Sequence, residues 1–527
     1  MSLFERGAVN PLSTTTHEAV DTLLKQAGQF HQERRLDEAE AVYRKILTRE
    51  EHPLALINLG HLLHFTGRIT DRRARTRCPG DASLLRDLGA SLLFVGERRE
   101  GLDLMKRASE LLEDPAVGSA LLLALHYDES LHADSLHQAH RQWARRFAPD
   151  AQVSYEFQND RTPDRRLRIG YLSGDFRTHP VAFFFESLLD GHNRQRVEIV
   201  GYSQVPCADS TAARLRAKCD RFRPVDQLDD EQLVAAIRAD RIDILVDLAG
   251  HTPGNRLCAM AKRPAPIQVT YCGYPDTTGM GQIDYRLVDA LSTPASLQPF
   301  YSEELVTLPE SFLCYRPSDL MPAVTDLPLH RRGHITFGVF NDTLKVNQGM
   351  ITLWSDILRA NPASVLVIKF RAGDDPGMCE RIGQAFADRG IDGGRIDIQR
   401  QRPIEDYYRL LSDVDIALDT FPYNGTATTC DALWMGVPVI SLKGTHHASR
   451  VGLSLLSQVG LGFFAADDGA QYVAKATALA QQTQSLARIR STLRQRMQAS
   501  TLCRPHVFAG QVEAAYLRMW KGWVDRC

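Results

Sequence analysis

The sequence carries no surplus of charge. Its 62 lysines and arginines are balanced by 64 aspartates and glutamates, so bulk charge argues for neither nucleic acid nor an anionic membrane as partner. It has no apolar run long enough to span a bilayer. Its first residues, Met1-Ser-Leu-Phe-Glu-Arg6, lack a signal-peptide core. Paired cysteines are also missing. The ten thiols stand scattered at 78, 207, 219, 258, 272, 314, 379, 430, 503 and 527, with no Cys-x-x-Cys. That spacing argues against zinc and a redox dithiol, and reads as reduced thiols in a cytoplasmic protein. Nor does an Asp-x-Asp pair follow a strand in the C-terminal half, since Asp413-Val-Asp415 precedes its strand. Phosphate charge would then be met by a lysine and backbone N–H groups, with no metal required.

What is present is enough for several domains. The chain has 527 residues, 44% hydrophobic and 24% charged, a globular composition far beyond one core. Residues 17–150 read as helix after helix. The small residues Ala27, Gly60, Gly89 and Ala124 are 33, 29 and 35 residues apart, and Leu59-Gly60 and Leu88-Gly89 share one dipeptide. A second-helix signature recurs as Leu36-Asp-Glu-Ala39 with Tyr43, and as Gly101, Met105 and Ala108. A period near 34 is that of tetratricopeptide repeats, with the short interval around Thr70–Pro79. Such arrays present a concave surface to other polypeptides.

From Asp160 onward, short β-branched runs alternate with amphipathic stretches. Strands are expected at Leu167–Ser173, Val197–Ser203, Asp243–Leu248, Ile267–Tyr271 and Tyr285–Asp289. A second series is expected at Ile335–Phe340, Val365–Phe370, Arg395–Gln399, Ile416–Asp419 and Val437–Leu442. This pattern predicts two parallel, doubly wound sheets joined by a Pro-rich seam near Pro309–Pro328. The division reads as 1–150 helical repeats, 151–325 first Rossmann-like lobe, and 326–527 second lobe with a terminal helix.

The candidate chemistry lies just after strands, where open α/β sheets bind ligands. His179, in Ser173-Gly-Asp-Phe-Arg-Thr-His179-Pro180, is either a base or sugar contact, or a helix-start residue packed beside Pro180. Gly273 and Pro275 form a turn that admits a close flat ligand. Asn341 and Lys345 follow the second lobe's first strand, where a lysine can neutralise a departing diphosphate. Arg402 and Tyr407 suit a nucleobase. Asn424, Gly425, Thr426, Thr428 and Thr429 form a polar loop opening a helix, with Asp431 in its first turn. Either the free N–H groups there cradle phosphate and the carboxylate takes a ribose hydroxyl pair, or this is an ordinary capped helix between two buried strands. Ser449 and Arg450 open a further helix and are candidates to face the cleft. His446-His447 is a poor metal pair, because adjacent residues point to different sides of a helix.

These motifs, in this order, resemble the O-linked N-acetylglucosamine transferase family in its bacterial, few-repeat form. The resemblance is carried by Arg168-Ile-Gly-Tyr-Leu-Ser173 with His179-Pro180, Arg263-Pro-Ala-Pro-Ile-Gln268 with Gly273-Tyr-Pro275, Phe340-Asn341 with Lys345, Leu418-Asp-Thr420 with Asn424-Gly425 and Asp431-Ala-Leu-Trp434, and Ala448-Ser-Arg-Val451. It implies a GT-B fold behind a repeat domain and inverting, metal-free transfer of GlcNAc from UDP-GlcNAc to Ser or Thr of proteins. It also implies Lys345 at the diphosphate, His179 at the sugar–acceptor junction, Asp431 at the ribose, Thr428 at a phosphate and Tyr407 against the base. Departures are Asp276 in the sugar turn, Asp342 and Leu344 before Lys345, and Ala427 for a phosphate-binding threonine. Two other readings stand beside it: a related protein O-fucosyltransferase using GDP-fucose, and a weakly catalytic scaffold that holds nucleotide while its repeats recruit partners.

Overall fold

The computed structural model describes residues 20, 22–30, 35–49, 55, 59, 82–94, 96–149, 156–370, 373, 376–400 and 402–526. The chain divides into two compact units, one of residues 1–113 with 371–379, the other of 114–370 with 380–527.

The first unit contains the helices Leu36–Arg49, Ala82–Phe94 and Arg98–Leu111. Val20, Ala27, Ala39, Tyr43, Ile46, Ala55 and Leu59 share one core. The helices Ala82–Phe94 and Arg98–Leu111 reverse around Gly96 (φ 87°). They meet at Gly89 and Gly101, where a Cβ on either would stand 2.8 Å from the other's carbonyl oxygen. The glycine of the Leu-Gly signature is therefore set by a close helix crossing. Gly60 and the 70–79 stretch lie outside the described residues.

The second unit holds two parallel sheets. The first comprises β1 (Leu167–Ser173), β2 (Val197–Ser203), β3 (Arg221–Pro224), β4 (Ile244–Asp247), β5 (Ile267–Thr270), β6 (Tyr285–Asp289) and β7 (Glu304–Leu308), in the order β3-β2-β1-β4-β5-β6-β7. The second comprises β8 (Thr336–Val339), β9 (Val365–Lys369), β10 (Ile396–Gln399), β11 (Ile416–Leu418), β12 (Val439–Leu442) and β13 (Ala465–Ala466), in the order β10-β9-β8-β11-β12-β13. All ten expected strands are present to within two residues. The sequence reading missed β3, β7 and β13, and all three are edge strands. An edge is covered on one side only, so Arg221-Phe-Arg-Pro224 needs no continuous apolar run.

Strand order reverses between β1 and β4 and between β8 and β11, which opens a crevice at their carboxyl ends. Both switch points are built alike. At the amino ends, Asp243 accepts from the Arg168 N–H (2.7 Å) and Asp415 from the Thr336 N–H (2.8 Å). At the carboxyl ends, Asp247 accepts from Ala249, Gly250 and Thr270, and Asp419 from Thr420, Gly425 and Ser441. Asp247 and Asp419 thus fold the loops that follow their strands.

Two further pieces complete the unit. The helical hairpin Pro115–Leu125 and Ala133–Phe147 packs Leu122, Trp143 and Ala144 into one core with Leu172, Leu245 and Met260 of the first lobe. The terminal helix Pro505–Val524 leaves the second sheet and returns to the first lobe. There Glu513 accepts from His192 Nδ1 (3.0 Å), Tyr516 meets Tyr171, and Trp520 Nε1 donates to the Thr162 carbonyl (3.2 Å).

Candidate active site

Lys345 sits in a single 3₁₀ turn, Thr343–Lys345, between β8 and the helix Gln348–Ala360. Lys345 does not begin that helix, whose cap is Asn347, two residues on. The Asp342 carboxylate accepts from the Leu344 N–H at 3.1 Å and closes the turn. Lys345 Nζ donates to the Asn424 carbonyl (2.7 Å) and lies 4.1 Å from the centre of the Tyr423 ring. Burial lowers its pKa from 10.5 to about 8, against the opposing pull of Asp419 and Asp342.

The polar loop after β11 is organised from beneath. Asn424 spends its side chain inward, donating to the Thr420 (2.8 Å) and Leu442 (3.2 Å) carbonyls and accepting from the Gly452 N–H. The Gly425 N–H is held by Asp419 at 2.7 Å. The helix starts earlier than the sequence suggested. It runs Ala427–Trp434 with Thr426 at its cap, so Thr428 and Thr429 are helical and Asp431 lies in the second turn, not the first. The cause is the Asp419 clamp, which ends the loop at Gly425. No side chain caps this helix start. Thr428 Oγ1 meets Asn341 Oδ1 at 3.3 Å, joining the loops after β8 and β11.

Asp431 accepts two tyrosyl hydroxyls, Tyr315 on Oδ1 (2.5 Å) and Tyr407 on Oδ2 (3.0 Å). Burial raises its pKa to about 6, opposed by both hydroxyls and by Lys369. Tyr407, on the helix Ile404–Ser412, is buried against Phe340 and Tyr408, with Lys369 Nζ 5.2 Å above its ring. Arg402 donates from Nη2 to the Gln399 side chain, and its buried Nε has no hydrogen-bond partner among the described residues.

On the first-lobe side, His179 caps the helix Pro180–Gly191. Its Nδ1 accepts from the Val181 N–H (3.3 Å) and stands 3.5 Å from Asp175. While Nδ1 accepts, a neutral ring carries its proton on Nε2. Gly273 is obligatory, because a Cβ there would stand 1.8 Å from the Leu248 carbonyl oxygen. Pro275 is buried beside it. The intervening Tyr274 is held from the helical hairpin, its hydroxyl between His140 Nε2 (2.7 Å) and His126 Nε2 (3.2 Å). His140 Nδ1 donates to the Leu136 carbonyl, and His251 Nε2 donates to Thr278 while its Nδ1 accepts from Ser119. Burial holds all three rings below the usual histidine range, which favours their neutral forms. Asp276, also buried, accepts from the Thr277 N–H and is raised by burial.

Ser449 is buried and closes its own turn onto the His446 carbonyl (2.9 Å). Arg450 crosses to the first lobe, where Nε donates to the Leu291 carbonyl (2.9 Å). His447 likewise meets Thr293 at 2.7 Å, and Ser454 donates to Asp289 at 2.6 Å. These residues join the lobes. The structure therefore brings Asn341, Lys345, Tyr407, Gly425, Thr428 and Asp431 together, while the side chains of Asn424, Ser449 and Arg450 are spent on backbone groups. Sequence reasoning missed Asp419, Tyr423 and Tyr315. The first two lie inside motifs it had singled out, whereas Tyr315 lies in the seam and carried no local signal.

Comparison with known proteins agrees with this architecture. The model of the family described as glycosyl transferase family 41 matches residues 148–328 and 327–512. A rice protein named probable UDP-N-acetylglucosamine--peptide N-acetylglucosaminyltransferase SPINDLY is 41% identical over 417 residues, covering 77% of this chain and 45% of the relative. An Arabidopsis thaliana protein with the same description and the name SEC is 32% identical over 372 residues, covering 68% of this chain and 37% of the relative. The chain thus spans about half the length of the curated relatives it matches, or less. A solved lysine-to-methionine mutant of the Thermobaculum terrenum O-GlcNAc transferase superposes with a TM-score of 0.89 at 34% identity, covering 98% of this chain and all of that one. With a family model spanning both lobes and this identity across more than two thirds of its length, the chain belongs to glycosyl transferase family 41.

Proposed function

We propose that the chain is an inverting glycosyltransferase that moves GlcNAc from UDP-GlcNAc to Ser or Thr hydroxyls of proteins. The observation that carries this is the placing of one buried cation, Lys345, beside an uncapped helix start, with a carboxylate one turn further along. The N–H groups of that first turn and Lys345 would take the diphosphate. Asp431 would take the ribose hydroxyls, and Tyr407 with Arg402 the base. As the acceptor oxygen attacks the anomeric carbon, the sugar–phosphate bond breaks and its electron pair passes to the diphosphate. A cation fixed at the leaving oxygen stabilises that charge more in the transition state than in the ground state. His179, with its proton on Nε2, would donate to a sugar or acceptor oxygen and position it. No metal is assigned a part.

The division into 1–150, 151–325 and 326–527 is retained as the functional reading, with the repeats binding protein acceptors and neither nucleic acid nor membrane as partner. Among the described residues no helix is long and apolar enough to cross a membrane, and the eight described cysteines are free thiols; a cytoplasmic setting is part of the same reading. The test is transfer from a panel of nucleotide sugars to a protein acceptor. UDP-GlcNAc should be the preferred donor. Preference for GDP-fucose would overturn the donor, and absence of transfer with tight UDP binding would favour the scaffold.

A further inference from the structure

The seam between the lobes does more than connect them. Tyr315 has its backbone N–H on the Leu502 carbonyl (2.6 Å), its ring 6.1 Å from Phe184 of the helix Pro180–Gly191, and its hydroxyl on Asp431 Oδ1 (2.5 Å). The next residue, Arg316, reaches Glu186 (3.1 Å) and Asp190 (3.2 Å) on that same first-lobe helix. A linker residue is thus held by both lobes and delivers a donor to the carboxylate of the nucleotide pocket.

We propose that Tyr315 is a positioning residue of the nucleotide site, holding Asp431 ionised and in one orientation for the ribose hydroxyl pair. This rests on the reading of Asp431 as the ribose ligand. A carboxylate oxygen has two acceptor positions. Tyr315 fills one on Oδ1 and Tyr407 one on Oδ2, which leaves one on each oxygen for two adjacent ribose hydroxyls. The groups facing Asp431 are Tyr315 from the seam, Tyr407 and Tyr408 from the helix Ile404–Ser412, Lys369 from the end of β9, and Cys430 beside it. Only Lys369 among them carries charge at neutral pH, so the two hydroxyls supply much of what keeps a buried carboxylate charged. Ribose hydroxyls donate to the charged form, so nucleotide binding and proton binding compete at this residue.

The test is calorimetry of UDP and 2′-deoxy-UDP from pH 5 to 8.5 on the full chain and on Tyr315→Phe, Tyr407→Phe and Asp431→Asn. Phenylalanine keeps the ring packing on Phe184 and removes only the donor. UDP affinity of the unaltered chain should fall as pH drops through about 6, by up to tenfold per pH unit. Loss of one hydrogen bond to a charged group should move that fall upward by about one pH unit or more. At pH 7, Tyr315→Phe should narrow the preference for UDP over 2′-deoxy-UDP, and at pH 8.5 the preference should return. Tyr407→Phe should behave in the same way. Equal weakening of both nucleotides at every pH would mean a structural role and overturn the proposal. So would an unchanged midpoint and preference in Tyr315→Phe. If Asp431→Asn keeps the affinity and preference of the unaltered chain, the ribose reading itself fails and takes this inference with it.

Discussion

Replacing Lys345 with methionine should separate its catalytic role from its structural cost. Methionine keeps most of the buried stem and removes the charge together with the 2.7 Å bond to the Asn424 carbonyl. By analogy with loss of one preorganised donor at a developing oxyanion, turnover should fall by roughly 10²–10³, or about 3–4 kcal/mol. UDP affinity should fall less, because the helix N–H groups remain. Stability should move the other way. The drop of the Lys345 pKa from 10.5 to about 8 means that the folded protein disfavours this charge by about 3 kcal/mol, at 1.36 kcal/mol per pH unit. A lysine with a depressed folded pKa weighs fully against folding below pH 8, and the penalty disappears as pH rises from 8 to 10.5. Lys345→Met should therefore raise the melting temperature at pH 7, and the gain should shrink toward pH 10. Initial rates at saturating donor, UDP calorimetry and thermal melts at several pH values measure all three effects. Near-normal turnover would refute the leaving-group role, and a lower melting temperature at pH 7 would refute the account of the buried charge.

Other tests follow from the same geometry. In the unaltered enzyme kcat/KM should decline above about pH 8 as free Lys345 loses its proton; Lys345→Arg, if it retains activity, should lack that decline. His179→Ala should lower turnover and keep the shape of the acid limb, since a ring whose Nδ1 accepts from Val181 offers a proton rather than a lone pair; a flattened acid limb would restore the general-base reading. The same change should cost about 1 kcal/mol of stability through the lost helix cap. His140 is held near pKa 4 from an ordinary 6.5, so its neutral form contributes about 3 kcal/mol that is present above pH 6.5 and lost as pH falls toward 4. Denaturant melts of His140→Gln should show a weaker loss of stability over pH 6.5–4 than the unaltered chain. Transfer should survive EDTA, and its abolition with rescue by magnesium or manganese would overturn the metal-free reading.

The parts of the site legible in the sequence were those that follow strands directly. Lys345 and Thr428 come from loops after β8 and β11, and those strands are adjacent in the sheet. Locating the strands therefore located the residues. The same reasoning misjudged direction. Asn424 and Ser449 belong to the right loops, but their side chains turn inward because buried carbonyls there need donors. It also placed the helix start too late, because nothing local announces that Asp419, six residues before Gly425, will take the Gly425 N–H.

By itself the sequence determined a helical array followed along the chain by two α/β lobes, the order of the motifs, and the residue types available for charge and hydrogen bonding. These follow from local periodicity and from short apolar runs ended by turns, which act over a few residues. Only the tertiary structure decided that Tyr315 would reach Asp431, 116 positions away, or that a histidine at 140 would hold the tyrosine of the Gly273–Pro275 turn. It also decided that the terminal helix would return to the first lobe. Burial decided the chemistry as well. A lysine near pKa 8 and an aspartate near 6 depend on what excludes water around them, and that is contributed by segments distant in the chain.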